Sequence, residues 1–415
     1  MKRSRHDSEH VVASLYQLYD HNYVRLKHDL VEFHEKRKRR KHLPPLIITS
    51  HNVNGFFGLL RDHLEEFKQF FLTHKPDVHC ISEVQLQCAG VGSSEGPRQG
   101  SLFDGIDETG KENPKKRRQY LAVEKLKNTA PFNLYRFEFS LNSSAATSGT
   151  LVMLKKEIEI PMLRFQLNEN EDGHEQEGRI IVVEFMDFIL LNTYAPNNQV
   201  KESGWERRRA WDKKIHNFFL RQHQDEHAKP VVWVGDLNST TDDHDMDSPR
   251  FYRHDVLNVR PTWAQGIYNN KKTRELLTNG VNLDAPKESL TPWLDCHGDK
   301  GQPGTTMNEQ KRFQRIRTDG GLVDAYRLLN PVIEGGMHTT VTKGREAWTW
   351  RGMPGRNGES QKGRYFGRGM RIDYTLVSQS LVDRVERAEI LGFGEYQENF
   401  IGSDHCPILL ELRER

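Results

Sequence analysis

The feature that most constrains the fold of this chain is a series of short apolar segments, each of which adjoins polar side chains. In the segment VVWVGDLNST (231–240), four apolar β-formers are followed by Gly235, Asp236 and Asn238. A run of this kind predicts a strand buried inside a sheet, and the glycine lets the backbone turn out of it. Side chains two residues apart point to the same side of a strand, so Asp236 and Asn238 are expected to lie together.

Five further segments adjoin polar residues in the same way. These residues are Asn52 and Asn54, Glu83, Tyr194 and Asn197, Asp373, and Asp404 with His405. Each of them alone is explained as a turn former, an exposed strand end or a structural histidine. Their recurrence at successive strand ends favours one shared site, because open α/β sheets carry ligand-binding residues at the carboxyl ends of strands.

Strands and helices alternate along the chain, which predicts an α/β sandwich. The predicted helices are 59–74, 205–223 and 310–329. The predicted strands are 46–50, 78–82, 179–185, 188–194, 231–234, 348–350, 371–378, 385–391 and 406–412.

Two polar regions and an amino-terminal segment interrupt this pattern. We expect a helical, basic extension over residues 1–43 and a catalytic domain over 44–415, with insertions near 87–118 and 240–309. The extension ends in KRKRRK (36–41), which is either a solvated helix end or a nucleic-acid contact or nuclear localisation signal.

Composition indicates an intracellular protein. The sequence has 415 residues and four cysteines without metal-ligand spacing, so a disulfide framework is not expected. No run approaches the eighteen or so apolar residues of a membrane span, and the first residues lack the apolar segment of a secretory signal. We therefore expect no membrane partner, and a nuclear or organellar location.

The polar residues suit metal-assisted phosphoester hydrolysis. Glu83, Asp404, Asn52 and Asn54 offer oxygen ligands and no thiolate, which favours Mg²⁺ or Mn²⁺. Such an ion polarises a phosphoryl oxygen. The remaining residues suit the other roles: Asp236 beside Asn238 prepares water, His405 oriented by Asp373 contacts phosphate, and Tyr194 and Asn197 donate to phosphate.

Eight motifs together resemble the exonuclease/endonuclease/phosphatase superfamily, and most closely its exonuclease III-like apurinic/apyrimidinic endonucleases. In chain order they are SHNVNG, ISEVQ, EGRIIVVEF, NTYAPN, GDLN, WTW, GMRIDYTLVS and GSDHCPILLEL. The resemblance covers about residues 46–413 and implies a four-layered α/β sandwich, in which two packed mixed β-sheets are flanked by helices, as in DNase I.

The resemblance also implies a function and further site residues. It implies an enzyme that hydrolyses the phosphodiester 5′ to an abasic site in double-stranded DNA and leaves a 3′-hydroxyl, with 3′-end trimming of blocked ends as an additional activity. It implies that the enzyme acts as a monomer. Arg179 falls where relatives contact DNA, and Trp350, Met370 and Ile372 fall where they form the apolar pocket for the flipped abasic sugar.

Four positions depart from the common family pattern. His51 replaces a tryptophan, Gln85 a lysine, Thr147 a tyrosine and Met370 a tryptophan. The segment between WTW and RIDY is also long and basic, with Arg351, Arg356, Lys362, Arg364, Arg368 and Arg371. Two alternatives stay open: another hydrolase on this scaffold, acting on protein–DNA adducts, as a retroelement-type nicking enzyme or on small or lipid phosphoesters, or a non-catalytic nucleic-acid-binding protein.

Overall fold

The computed structural model describes ten ranges of the chain. These are residues 45–86, 114–142, 147–167, 177–199, 202–247, 252, 302–331, 348–352, 369–394 and 397–413. Pro45–Leu412 forms one compact unit. The predicted amino-terminal extension lies outside these ranges and stays a prediction.

The described strands form two six-stranded sheets. The first has the order β11-β12-β1-β2-β4-β3 and the second the order β5-β6-β7-β8-β10-β9. The strands are β1 (Leu46–Asn52), β2 (Val78–Ser82), β3 (Tyr135–Ser140), β4 (Thr150–Lys155), β5 (Met162–Arg164), β6 (Ile180–Glu184), β7 (Ile189–Tyr194), β8 (Val231–Asp236), β9 (Leu322–Asp324), β10 (Asp373–Ser378), β11 (Val385–Ile390) and β12 (Ile408–Leu412).

Both sheets are mixed. The pairs β1–β2 and β7–β8 run parallel, and each is extended by antiparallel neighbours. Since a parallel pair needs a crossover, two helices follow β1 and one helix follows β7 before the next strand begins.

Six helices complete the described elements. They are α1 (Phe56–Asp62), α2 (Leu64–His74), α3 (Pro114–Lys127), α4 (Glu202–Gln224), α5 (Met307–Asp319) and α6 (Ala325–Leu329). Short 3₁₀ helices cover Phe132–Leu134, Asp243–Asp245 and Gln379–Arg384. Among the described residues, no helix is long and apolar enough to cross a membrane.

The hydrophobic core consists of three interfaces, which lie between four layers of secondary structure: helices, the first sheet, the second sheet and helices. Apolar residues of both sheets meet in the middle, for example Ile48 and Val232. The outer face of the first sheet packs on helices through Phe56 and Phe67. That of the second packs on α4 and α5, so that Trp211, Phe219 and Phe313 surround the β8 residue Trp233. The predicted four-layered sandwich is confirmed.

Two predicted helices are each interrupted in the structure. The predicted helix 59–74 consists of α1 and α2, separated by His63, whose backbone lies outside the helical region at φ −133°. The predicted helix 310–329 ends at Asp319. Gly320 and Gly321 follow it, and Gly321 adopts φ +59°, a left-handed conformation that commonly terminates helices. The chain then forms β9 at the edge of the second sheet and the short helix α6.

The predicted strand 348–350 and the predicted insertion boundaries also differ from the structure. Trp350 makes only isolated bridges, to Met370 and His405. The interval 87–118 overlaps α3, which begins at Pro114, where a missing N–H costs nothing. Within 240–309, both ends belong to the fold, since the N–H of Thr240 donates to the carbonyl of Gly304 over 2.7 Å.

Candidate active site

The polar residues predicted at strand ends meet where the two sheets face each other. Tyr194, Asp236 and Asp373 are adjacent across β7, β8 and β10, because the register pairs Tyr194 with Asp236 and Asp236 with Asp373. Asn52 ends β1 on the facing sheet, and its Nδ2 lies 2.8 Å from Asp236 Oδ2. This contact joins the two sheets.

A buried group of two carboxylates and one imidazole forms the centre of the site. His405 Nδ1 lies 2.7 Å from Asp373 Oδ2, and His405 Nε2 lies 3.9 Å from Asp236 Oδ2. The three residues are at most 5% exposed. The predicted pairing of His405 with Asp373 is therefore present in the geometry.

The two carboxylates keep the imidazole of His405 protonated. Burial by itself lowers the pKa of His405, but the charges of Asp373 and Asp236 outweigh burial and raise this pKa to about 10. Burial and the charge of Asp373 raise the pKa of Asp236 to about 7, against the opposing charge of His405. Near neutral pH, the site therefore holds an imidazolium beside a carboxylate that is poised to exchange a proton.

Hydrogen bonds fix the orientation of Asp236. The backbone N–H of Asn238 donates to Asp236 Oδ1 over 2.9 Å, and the Asn238 Nδ2 donates to Asp236 Oδ2 over 3.2 Å. The Asn238 Nδ2 also donates to the carbonyl of Ala195 over 3.0 Å. The predicted pairing of Asp236 with Asn238 thus holds, and the amide also links the loops that follow β7 and β8.

Unusual backbone conformations direct several of these side chains. Asn54, Glu83 and Asn238 have φ values of +46°, +58° and +47°, in the left-handed region that L-residues seldom occupy. At Gly235, with φ +129°, a Cβ atom would lie 2.0 Å from the carbonyl oxygen of Thr193. Glycine is therefore required immediately before Asp236, which explains the Gly-Asp sequence at the end of β8.

The residues predicted on the metal side form a second, partly exposed group. Asn54 Nδ2 donates to Asp404 Oδ1 over 3.2 Å, and the Tyr194 hydroxyl donates to Glu83 Oε1 over 3.0 Å. Asn54, Glu83 and Asp404 are partly exposed. Asn52 lies elsewhere, since its Nδ2 contacts Asp236 and its Oδ1 accepts the N–H of Asn54 over 3.0 Å.

The donor atoms of this group fit a hard divalent cation. Glu83 and Asp404 supply carboxylate oxygens, and their partial exposure leaves room for the water ligands that Mg²⁺ usually retains. The two cysteines of the described ranges are unsuited as ligands, because burial raises the pKa of Cys80 and of Cys406. Glu83 and Asp404 are therefore the residues that would hold Mg²⁺.

Distance alone also allows a metal ion between Asp236, Asp373 and His405, whose ligand atoms lie within 4.8 Å of one another. The surroundings are less suitable there. The Nδ1 of His405 is occupied by Asp373 over 2.7 Å. The buried site also leaves less room for hydration than the Glu83 group.

Two predicted DNA-facing residues differ in their surroundings. Asn197 is exposed, and its Oδ1 accepts the N–H of Gln199 over 2.8 Å. Arg179 is only 7% exposed; it donates to Glu177 and to the carbonyl of Tyr194, and its guanidinium lies 4.8 Å from the centre of the Tyr194 ring. These contacts make Arg179 a support for Tyr194, whereas a DNA contact by Arg179 stays a prediction.

The three predicted pocket residues lie together beside the metal side. Met370 and Ile372 pack in one buried cluster with Met246 and Tyr252, and Trp350 packs against this cluster. The Trp350 Nε1 donates to Asp404 Oδ2 over 3.0 Å, so the apolar cluster adjoins a carboxylate of the Glu83 group. Sequence reasoning missed Met246 and Tyr252, because both lie in the polar interval assigned to an insertion.

The basic segment between WTW and RIDY is only partly described. Arg356, Lys362, Arg364 and Arg368 lie outside the described residues. Arg371 is not a surface cation, since it is 1% exposed and ion-paired with Asp245 at 2.8 Å and Asp324 at 2.6 Å. Arg351 is also buried. Both side chains therefore belong to the interior, and Arg371 anchors the strand residues that flank it.

Two of the family departures contact the site directly. His51 is fully buried and its Nε2 lies 3.1 Å from the carbonyl oxygen of His405, and burial lowers the pKa of His51 to about 3. Gln85 donates to Asn54 Oδ1 over 3.3 Å, where a lysine would have brought a positive charge. Gln85 therefore keeps a contact with the metal-side loop without that charge.

Comparison with known proteins agrees with the geometry. A model of the Endonuclease/Exonuclease/phosphatase family matches residues 49–405. The chain is 33% identical over 381 residues to a DNA-(apurinic or apyrimidinic site) endonuclease of Plasmodium falciparum, covering 88% of this chain and 55% of that protein. The chain therefore spans about half the length of that relative.

A second relative matches over most of its length. The chain is 33% identical over 365 residues to a DNA-(apurinic or apyrimidinic site) endonuclease of Arabidopsis thaliana, covering 87% of this chain and 83% of that protein. The crystal structure of an AP endonuclease from Leishmania major shares the fold with a TM-score of 0.55 at 18% identity, covering 90% of this chain and 89% of that one. The chain thus belongs to the endonuclease/exonuclease/phosphatase family, and within it to the exonuclease III-like branch whose relatives are named apurinic/apyrimidinic endonucleases.

Proposed function

We propose that this protein is a Mg²⁺-dependent endonuclease that hydrolyses the phosphodiester 5′ to an abasic site in double-stranded DNA. The observation that carries the proposal is the contact between the apolar cluster and the proposed metal ligand Asp404, made by the Trp350 Nε1 over 3.0 Å. An apolar pocket accepts a bare deoxyribose, but it offers no hydrogen-bond partners to a flipped base. Such a pocket therefore favours abasic DNA over intact DNA.

The buried centre supplies acid–base chemistry. Asp236 removes a proton from water, and the water oxygen then attacks phosphorus as the bond to the upstream 3′-oxygen breaks. The 3′-oxygen takes up a proton from solvent, which leaves a 3′-hydroxyl and a 5′-phosphate. The raised pKa of Asp236 suits a base that works near neutral pH. Asn52 and Asn238 hold its carboxylate in place throughout.

The surrounding donors stabilise charge on the phosphate. His405, held by Asp373 and protonated near neutral pH, donates from Nε2 to a phosphate oxygen. Asn197 donates from its amide nitrogen, since its Oδ1 is used by Gln199. The Tyr194 hydroxyl donates its single proton to Glu83 and so orients that carboxylate beside the phosphate. Glu83 and Asp404 would hold Mg²⁺, or Mn²⁺ in its place, and the bound ion would supply positive charge that polarises the phosphoryl oxygen and stabilises the leaving 3′-oxygen.

The proposal extends to partners and location. The enzyme acts as a monomer on abasic or 3′-blocked duplex DNA, and it works in the nucleus, supported by the basic run KRKRRK at 36–41.

The test compares one duplex that carries a single abasic site, the same duplex undamaged and a small phosphate monoester, each with Mg²⁺ and with excess chelator. We expect Mg²⁺-dependent incision of the abasic duplex, with a 3′ end that a DNA polymerase extends directly. Equal incision of both duplexes, or faster hydrolysis of the small ester, would reject the repair function in favour of another phosphodiesterase of the family.

The contribution of the pocket is tested by Met370→Ser, with Met370→Leu as the control of similar volume. We expect the serine variant to lose most of its preference for abasic DNA while it keeps metal-dependent cleavage, because only the pocket becomes polar. The leucine variant should keep the preference. A serine variant with unchanged preference contradicts the pocket assignment.

A further inference from the structure

Two loops carry the proposed phosphate contacts, and neither is held by the catalytic residues alone. One loop follows β7 and bears Asn197, and the other follows β8 and bears Asn238. Asn197 is exposed, so the position of its side chain depends on how firmly its own backbone is held. The residues that hold these two loops therefore set the geometry of the phosphate contacts.

The first turn of α5 reaches the loop that bears Asn197. Asn198 is 1% exposed, and its Nδ2 donates to Glu309 Oε1 over 2.8 Å. Glu309 is itself 1% exposed and lies 111 residues further along the chain. Its carboxylate thus ties the residue next to Asn197 to a helix.

Glu309 is a rigid attachment point, because its other oxygen is fully engaged. Its Oε2 accepts from the N–H of Gly304 over 2.9 Å and from the Thr306 hydroxyl over 2.7 Å. Thr306 and Glu309 form a capping box at the start of α5, where the helix dipole favours a negative charge. The carboxylate therefore has one orientation, which presents Oε1 to Asn198.

The hydrogen bonds around Glu309 also reach the loop that bears Asn238. The carbonyl of Gly304, whose N–H is bound to Glu309, accepts from the Thr240 hydroxyl over 2.9 Å. Arg208 of α4 also joins the two loops, since its Nη1 donates to the carbonyl of Asn238 over 2.9 Å and to that of Pro196 over 3.2 Å. Residues of α4 and of the start of α5 thus hold both loops in place.

We infer that Asn198 and Glu309 are a pair of positioning residues, whose hydrogen bond fixes the loop of Asn197 relative to the loop of Asn238. Neither residue is proposed to touch the substrate. The inference rests on the proposed function, since it assigns Asn197 and Asn238 to the phosphate. Small displacements of such contacts reduce turnover strongly.

A reciprocal exchange tests the hydrogen bond itself. Asn198→Asp places two acceptors opposite each other, so kcat should fall by about tenfold or more, with a smaller change in KM. The double variant Asn198→Asp with Glu309→Gln restores one donor to the pair while a glutamine oxygen still serves the capping box. We expect it to regain kcat to within about threefold of the wild-type value.

Thr318→Ala is the control for a change on α5, because Thr318 is exposed near the carboxyl end of this helix and its hydroxyl donates to the carbonyl of Gln314, away from Asn198 and Glu309. It should keep kcat near the wild-type value. A correctly folded Asn198→Asp variant with wild-type kcat, or a double variant that folds and regains nothing, overturns the inference.

Hydrogen exchange of the backbone amides at 195 and 197–199 separates this inference from the proposed function. Exchange should accelerate in Asn198→Asp, return to the wild-type rate in the double variant and stay slow in Thr318→Ala. This readout does not depend on the substrate. If the wild-type protein does not cleave abasic DNA but shows this exchange pattern, the positioning role of Asn198 and Glu309 is supported and the proposed function is rejected. Unchanged exchange in Asn198→Asp rejects the positioning role, whatever the substrate is.

Discussion

His405 Nδ1 lies 2.7 Å from Asp373 Oδ2, and this contact sets the charge of the whole buried centre. The carboxylate of Asp373 favours the protonated imidazole, and it also disfavours ionisation of the neighbouring Asp236. One residue thus raises two pKa values, that of a proposed phosphate donor and that of a proposed base. The two groups titrate as a coupled unit, so a change at Asp373 affects both.

The first prediction follows from this coupling and concerns pH. Activity requires deprotonated Asp236 and protonated His405, so it should fall as pH drops through about 7 and fall again as pH rises through about 10. Asp373→Asn removes the charge that raises both pKa values. Both limbs of the kcat/KM profile should therefore move to lower pH, by on the order of one unit. Profiles at fixed Mg²⁺ check this, and a basic limb that stays in place contradicts the role given to Asp373.

The second prediction concerns Asp236 as the base. Asp236→Asn keeps the size of the side chain but removes its basic oxygen, so kcat should fall by about 10²-fold or more while affinity for abasic DNA changes little. Single-turnover kinetics and equilibrium binding measure the two effects separately. Asp383→Asn, at an exposed residue of the 3₁₀ helix 379–384, is the matched control. Wild-type turnover in Asp236→Asn would show that the GDLN motif is only a structural turn.

The third prediction concerns the metal. Glu83→Gln removes a charged oxygen ligand and keeps a neutral one, so the Mg²⁺ concentration that gives half-maximal activity should rise by about tenfold or more. Glu159→Gln, at an exposed position, serves as the control and should leave the Mg²⁺ titration unchanged. Full activity of the wild-type protein in excess chelator would rule out the metal requirement.

The fourth prediction concerns acid stability and a buried histidine outside the site. His79 is fully buried among the rings of Phe67, Phe70 and Phe71, and burial holds its pKa well below the usual value. The unfolded chain binds a proton at this residue below about pH 6.5, whereas the folded protein does not until a lower pH. Stability is therefore lost as pH falls below about 6.5.

Replacing His79 by Phe should remove its share of this loss. The free energy of unfolding should then depend less steeply on pH between about 5 and 6, by about 1.4 kcal/mol per pH unit, as measured by urea denaturation. His227→Gln, at an exposed position, controls for the loss of a histidine as such. Equal slopes in the wild-type protein and the Phe variant would contradict the assignment.

The strands that carry the site were predictable from local pattern. The end of β8 is an example, because a buried strand needs a continuous apolar run and Gly235 is the residue that its backbone geometry requires. Asp236 and Asn238 are two residues apart, so the period of a strand alone indicated that they act together. The motifs of the family added the roles predicted for Arg179 and for the pocket residues Trp350, Met370 and Ile372, which local spacing does not indicate.

The environment of other residues was not predictable, because it depends on distant parts of the chain. Arg371 belongs to a segment that is basic in sequence, yet it is buried, because Asp245 and Asp324 reach it from other elements. Met246 reads as part of a polar insertion, yet it packs with Met370 and Ile372. Composition describes a segment, whereas burial depends on what packs against it.

The strand ends, the acids and amides at these ends, and the family of the protein can all be inferred from the sequence. The reason is that each of them depends on a short motif of neighbouring residues. Which of these side chains contact each other depends on tertiary structure. Asn52 reaches Asp236 across 184 residues, and Asn198 reaches Glu309 across 111. These contacts follow from the register of the sheets and the packing of α5, and a shift of one residue in a strand would turn each side chain to the opposite face.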